Sequence, residues 1–320
     1  MHSANRITSH DGRTCRVAGR KRPALVIVVL LFSTGLLPYA ASAQTAKGPA
    51  SPEQLALITR AAETERQMLE SPTPFQYQER VEWIWGTETR SVIETVEGRA
   101  DRIVLYGDEP LSPEQNAKQQ RRLEKLLTDR NAVKSEMEDQ KPELQRRIRM
   151  IKAFPKAVLF DYVGRENGLL RFTFRPNPDF SPKDRETQMY RGMEGFLLVE
   201  PVQERLVRVE GKLVKDVSFG WGIFGRLYKG GTYEIAQTQL SHGAWRITTM
   251  NVDVRGRVFF FDTFRFLRKE SNTRLRPVPA AMTYQAAVKT LLNAPPVPDQ
   301  ERPAGPPAPA RSRADHRPGR

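Results

Sequence analysis

From Phe75 to Trp85 the apolar residues Phe75, Tyr77, Val81, Trp83 and Trp85 occupy alternate positions, with Gln76, Gln78, Arg80 and Glu82 between them. A period of two puts one side of a strand against a core and the other in water. The same reading applies along most of the chain. Leu170, Phe172 and Phe174 alternate with Arg171, Thr173 and Arg175, after a turn at Gly164-Arg165-Glu166-Asn167-Gly168. Strands are expected over 75–85, 90–96, 102–106, 157–163, 169–175, 195–200, 205–210, 213–219, 232–240, 244–254 and 258–266. Ser241-His242-Gly243 and Arg255-Gly256 are expected as tight turns. Consecutive strands with short turns imply antiparallel pairing, and about ten of them exceed what an open twisted sheet carries without curling. The expected fold class is therefore α+β: a curved antiparallel sheet, an incomplete β-barrel, with covering helices.

The helices are read from their start signals. Ser51-Pro52 opens an amphipathic segment to about Glu70, and Ser112-Pro113 opens a longer one to about Asp139. Pro142 is expected to begin a further helix. Leu123, Leu126, Val133 and Met137 recur near a 3.5 spacing, so the 112–153 insertion presents one apolar stripe on an otherwise charged surface.

The two ends differ from this region. Arg13, Arg16, Arg20, Lys21 and Arg22 precede the apolar run Ala24–Phe32, and Ala41-Ser42-Ala43 follows, the three-part pattern of an export signal. Residues 1–43 are expected to be removed, leaving 44–51 as a linker, 52–292 as the folded domain and 293–320 as a disordered Pro/Ala/Arg-rich tail. The protein is then expected in the periplasm or cell envelope. The formal charge of +14 falls to +9, because the signal carries six basic residues and one acid, 14 − 5. A mean hydropathy of −0.55 excludes a polytopic membrane protein.

The chemistry-bearing residues are few. Cys15 is the sole cysteine and leaves with the signal; of four histidines only His242 falls in the folded region. A nucleophile–base pair or a protein-held zinc needs more than this, so no catalytic residue, metal or cofactor is expected. Asp161, Glu194, Glu210, Asp216, Asp253 and Asp262 sit in or beside strands, and a carboxylate-dependent hydrolase is one alternative. Export argues against nucleic acid as a partner; the basic charge suits an anionic membrane surface instead. Large aromatics are the positive signal. Trp83, Trp85, Phe172, Phe174, Trp221, Phe224 and Trp245 are the candidate residues for an apolar cavity or its rim, with the Gly-flanked stretch Phe219–Leu227 as a lip.

The segment Met193-Glu194-Gly195-Phe196-Leu197-Leu198-Val199-Glu200, followed by Arg205-Leu206-Val207-Arg208-Val209-Glu210-Gly211, resembles the lipoprotein-localisation-factor superfamily. Val217–Gly222 and Lys229–Glu234 are similar to segments of exported bacterial proteins of that type. The resemblance spans about 75–285 and rests on strand patterns. It implies an apolar interior that receives a lipid or the acyl chain of a lipoprotein. No residue contacts carry over from it, and the charged 112–153 block and the Pro-rich tail depart from it. A structural or partner-binding module that uses the helical block is the other alternative.

Overall fold

The computed structural model of the protein describes residues 47–219, 225–259 and 262–294. The expected signal, most of the expected tail, and Trp221 and Phe224 lie outside the described residues.

Among the described residues, fourteen strands join in one antiparallel sheet. They are β1 (Gly48–Pro49), β2 (Phe75–Trp83), β3 (Gly86–Glu94), β4 (Arg99–Tyr106), β5 (Glu109–Pro110), β6 (Val158–Glu166) and β7 (Leu169–Pro176). There follow β8 (Met193–Glu200), β9 (Arg205–Leu213), β10 (Val217–Phe219), β11 (Gly225–Leu227), β12 (Thr232–Gln239), β13 (Trp245–Val258) and β14 (Asp262–Pro277). The helices are α1 (Pro52–Glu70), α2 (Pro113–Thr128), α3 (Arg130–Ala157) and α4 (Tyr284–Asn293), with a 3₁₀ turn at Thr187–Gly192. The spatial order is β1-β6-β7-β8-β9-β12-β13-β14-β2-β3-β4-β5, and its two end strands do not meet, so the barrel is not closed.

The helix α3 shows how far the sheet bends. The Gln140 side chain bonds the backbone of Arg99 at the start of β4, whereas the Phe154 ring lies 5.6 Å from Phe160 of β6. Fourteen residues of helix rise about 21 Å. Nine strand spacings separate β6 from β4 in the sheet order, which flat would span about 43 Å. The sheet therefore bends, so that the C-terminal half of α3 packs on its concave, inner face while Ala132, Val133 and Met137 of the N-terminal half reach the core on the outer face.

Two cores result. On the inner face Phe160, Tyr162, Phe172, Phe174, Leu197 and Val199 pack under α1 and the C-terminal half of α3. Gly195 faces Gly211 across β8 and β9. A Cβ at Gly195 would run into the Glu210 carbonyl and the Phe174 ring, so glycine is required there for close approach. The second core joins Ile93 and Ala100 to Leu123 and Leu126 of α2 and to Tyr284, Ala287, Val288 and Leu291 of α4. Ile93 points away from Val92, so α4 covers the outer face of β3 and β4. Glu97 accepts a bond from the Tyr284 N–H at the start of α4, and Arg102 donates to the Leu291, Leu292 and Ala294 carbonyls at its end. Each charge sits where the helix dipole favours it.

Several expected boundaries are corrected. Arg255-Gly256 is not a turn: β13 runs through it to Val258 and pairs there with both β11 and β14. Gly256 serves close approach, since a Cβ would strike the Arg226 carbonyl and the Phe264 ring. Pro142 does not start a helix but lies exposed inside α3. The break falls at Asp129, whose carboxylate accepts from the Asn131 and Ala132 N–H groups. Part of the expected linker is structured, because Gly48 and Pro49 pair with β6. Within the 112–153 block Leu123, Leu126 and Ile148 are buried, so its apolar stripe packs against the rest of the fold. Asp129→Ala removes the cap of α3 and is expected to lower stability by about 1 kcal/mol in a thermal or urea melt.

Candidate functional site

Residues opposite each other across an antiparallel pair share a face. On the inner face this links Ile235 to Met250, Tyr233 to Val252, Val254 to Phe266 and Gly256 to Phe264. Trp83 continues the row across β2, opposite Arg268. Met250 is buried, Val252 and Val254 are half-buried, and Phe264 and Phe266 are 37% and 42% exposed. An apolar lane thus opens progressively along β13 from beneath α3 toward the β13–β14 end of the sheet. Tyr233 lies at its covered end, where desolvation pushes the phenol up to about 12; Arg147 and Glu143 of α3 are its charged neighbours.

The floor beside this lane is charged. Glu79 is 1% exposed and takes both terminal nitrogens of Arg99, at 2.8 and 2.5 Å, with Arg268 at 3.8 Å. Arg268 also holds Glu270 at 2.5 Å and lies 5.0 Å from the Trp83 ring. Burial works to raise the Glu79 carboxyl, but Arg99 and Arg268 outweigh it and hold it below the ordinary carboxylate range. A second buried pair fixes α1: Glu65 lies 2.8 Å from Arg205, which also donates to Gln237 at 2.8 Å. Here desolvation wins over Arg205, and the Glu65 carboxyl is raised.

The sequence-derived candidates separate into three places. Phe172 and Phe174 are packed core, at 0% and 2% exposure. Trp83 and Trp85 stack at 5.3 Å, and Trp83 meets Phe266 edge-on at 6.4 Å, so these two stand at the open end of the lane. Trp245 lies at the far end of β13, where its indole N–H donates to Gln203 at 2.7 Å. The chain matches no known family model. Comparisons with curated proteins and with solved structures found no match either.

Four of the strand acids are held by arginines, while Glu194 and Glu210 line one outer-face cleft with Glu234, and Glu194 and Asp216 line another. Asp161 pairs with Arg175, Glu210 with Arg208, Asp216 with Arg226 and Asp253 with Arg265. His242 is exposed in its turn, its ring 5.6 Å from Phe75. Among the described residues no group of three or more His, Cys, Asp or Glu is placed to hold a metal. Two open clefts of about 740 and 330 Å³ lie on the outer face and share Glu194. Among the described residues no helix is long and apolar enough to cross a membrane.

The buried Glu79, Glu65 and Arg205 and the half-buried Arg99 and Arg268 were not among the sequence candidates. Glu79 carried a signal, because it occupies the same register as Phe75, Tyr77, Val81 and Trp83. An acid in an apolar register has either a buried partner or a misread strand.

Proposed function

We propose that the protein is an exported, non-catalytic binding protein that holds an acyl chain of a lipid or an acylated protein along the inner-face lane. The supporting observation is the contiguous, half-exposed row Ile235, Val252, Val254, Phe264, Phe266 and Trp83, roofed at one end by α3 and open at the other. Each methylene moved from water onto such a surface gains about 0.8 kcal/mol. A lane that buries only part of a chain therefore suffices for cargo, with no reactive group involved. The same function is implied by the resemblance to the lipoprotein-localisation-factor superfamily.

Native mass spectrometry of the purified full chain is expected to show bound lipid. A fluorescent fatty acid in vesicle-free solution is expected to bind and to be displaced by unlabelled fatty acid. Val252→Lys puts a charge in the middle of the lane and is expected to weaken this binding about tenfold or more, the loss of about two buried methylenes. A lipid-free protein with no affinity for the probe would overturn the reading.

A further inference from the structure

Six of the ten exposed large apolar side chains among the described residues gather at one end of the sheet. Val258, Phe259, Phe264 and Phe266 belong to the β13–β14 arm, and Ile84 and Trp85 to the β2–β3 turn beside it. The arm runs beyond β2 on one side: β14 pairs with β2 only from Arg268 onward, leaving Asp262–Leu267 about 20 Å past that pairing, while on the other side β11 accompanies β13 up to Val258. Its opposite face is basic. Arg226 stands across from Arg257, and Arg255 across from Arg265. Like charges in these positions repel and are unfavourable for the sheet itself. Among the described residues Asp253, bound by Arg265 at 2.7 Å, and Asp216, 3.6 Å from Arg226, offset them by ion pairs, and Asp262 is exposed near the tip. Arg255 and Arg257 have no ion pair among the described residues, and Arg257 Nε is buried without an acceptor.

Phe259 adds a third oddity. It holds φ at +54° and is 56% exposed. Turns that need this backbone conformation favour Gly or Asn. A large aromatic is both strained and wet there, so folding does not account for it.

We infer that this arm docks the protein on an anionic phospholipid bilayer, tip first. Phe259 at the tip, with Val258 beside it, enters the interfacial zone, while Trp85, beside Trp83 and Phe266, stays behind the arginines. Arg257 and Arg255 stand about 7 and 13 Å behind the tip, at the depth of the phosphate layer and its surface. The fit is one of charge and greasiness together: an apolar tip for the acyl region and guanidiniums for the phosphates.

Flotation of the full chain with vesicles tests this. Binding is expected to vesicles of phosphatidylcholine with phosphatidylglycerol, to fall with salt, and to be absent with phosphatidylcholine alone. Arg255→Gln with Arg257→Gln is expected to weaken it about 30-fold, the effect of two charges at a membrane surface. Phe259→Asn suits the turn better and is expected to keep or raise thermal stability while weakening vesicle binding. Both variants are expected to bind the fatty-acid probe as the parent does, so cargo binding and docking fail separately. Equal binding to neutral vesicles, or variants that float like the parent, would overturn the inference. So would tip variants that change only the oligomeric state, since the arm would then meet a second copy of the chain.

Discussion

Glu79→Gln is expected to destabilise the protein by about 3–5 kcal/mol, among the largest losses from a change of so few atoms. The carboxylate is 1% exposed and holds Arg99 through both oxygens. The amide is nearly the same shape, so no cavity forms. What remains is an inner face on which Arg99 and Arg268 have lost their shared anion. The pH dependence has a definite sign. The folded-state carboxyl lies below its ordinary value, so its contribution is fully present above the unfolded carboxylate range and is lost as pH falls through the folded value. Urea melts of the parent at descending pH are expected to show that loss, and Glu79→Gln is expected to lack this component. Equal stability of the two at neutral pH would show that the guanidiniums are solvated well enough without the acid. Glu65 works oppositely, since its raised carboxyl favours the folded state as pH falls.

The open antiparallel sheet was legible because alternation and turn residues report on neighbours within a few positions. β2, β6 and β7 were placed within a few residues from that pattern alone. Gly256 misled because glycine has two uses. It marks turns through its backbone freedom, and it marks close approach through its missing Cβ, and only the facing Arg226 carbonyl tells which. α4 is missing from the expected elements although Tyr284, Ala287, Val288 and Leu291 recur at helical spacing; the segment falls inside the expected folded domain but carries no expected element. Of the candidate site, Trp83 and Trp85 were read from the strand they end. Their meeting with Phe266 was not legible. That contact depends on β14 returning beside β2, as does the Lys269–Glu82 ion pair between residues 187 apart in sequence. The charged floor was hidden for the same reason, since Glu79 finds Arg268 only through that pairing.

Phe154→Ala is expected to cost about 3–5 kcal/mol and to expose the inner face before the sheet itself unfolds. The ring contacts Phe160 at 5.6 Å, Phe174 at 5.3 Å and Tyr190 at 5.7 Å, so one side chain joins α3 to two strands and to the 3₁₀ turn. Tyr190 in turn donates to the Met150 carbonyl at 3.0 Å, which is the other fastening of this half of α3. Truncation empties a pocket that rigid strands on one side cannot collapse to fill, so the cavity cost adds to the lost transfer energy. The opposite half of α3 keeps its Gln140 bonds to β4, so the helix is expected to loosen from one end. An apolar dye should then bind more strongly to the variant below its unfolding midpoint, with far-ultraviolet dichroism still close to the parent. If α3 were a separate partner surface resting on a finished sheet, the substitution would leave both dye binding and midpoint nearly unchanged. The buried position of Phe154 argues that the helix instead completes the inner face, and its grip sets how much of the apolar lane is open to a ligand.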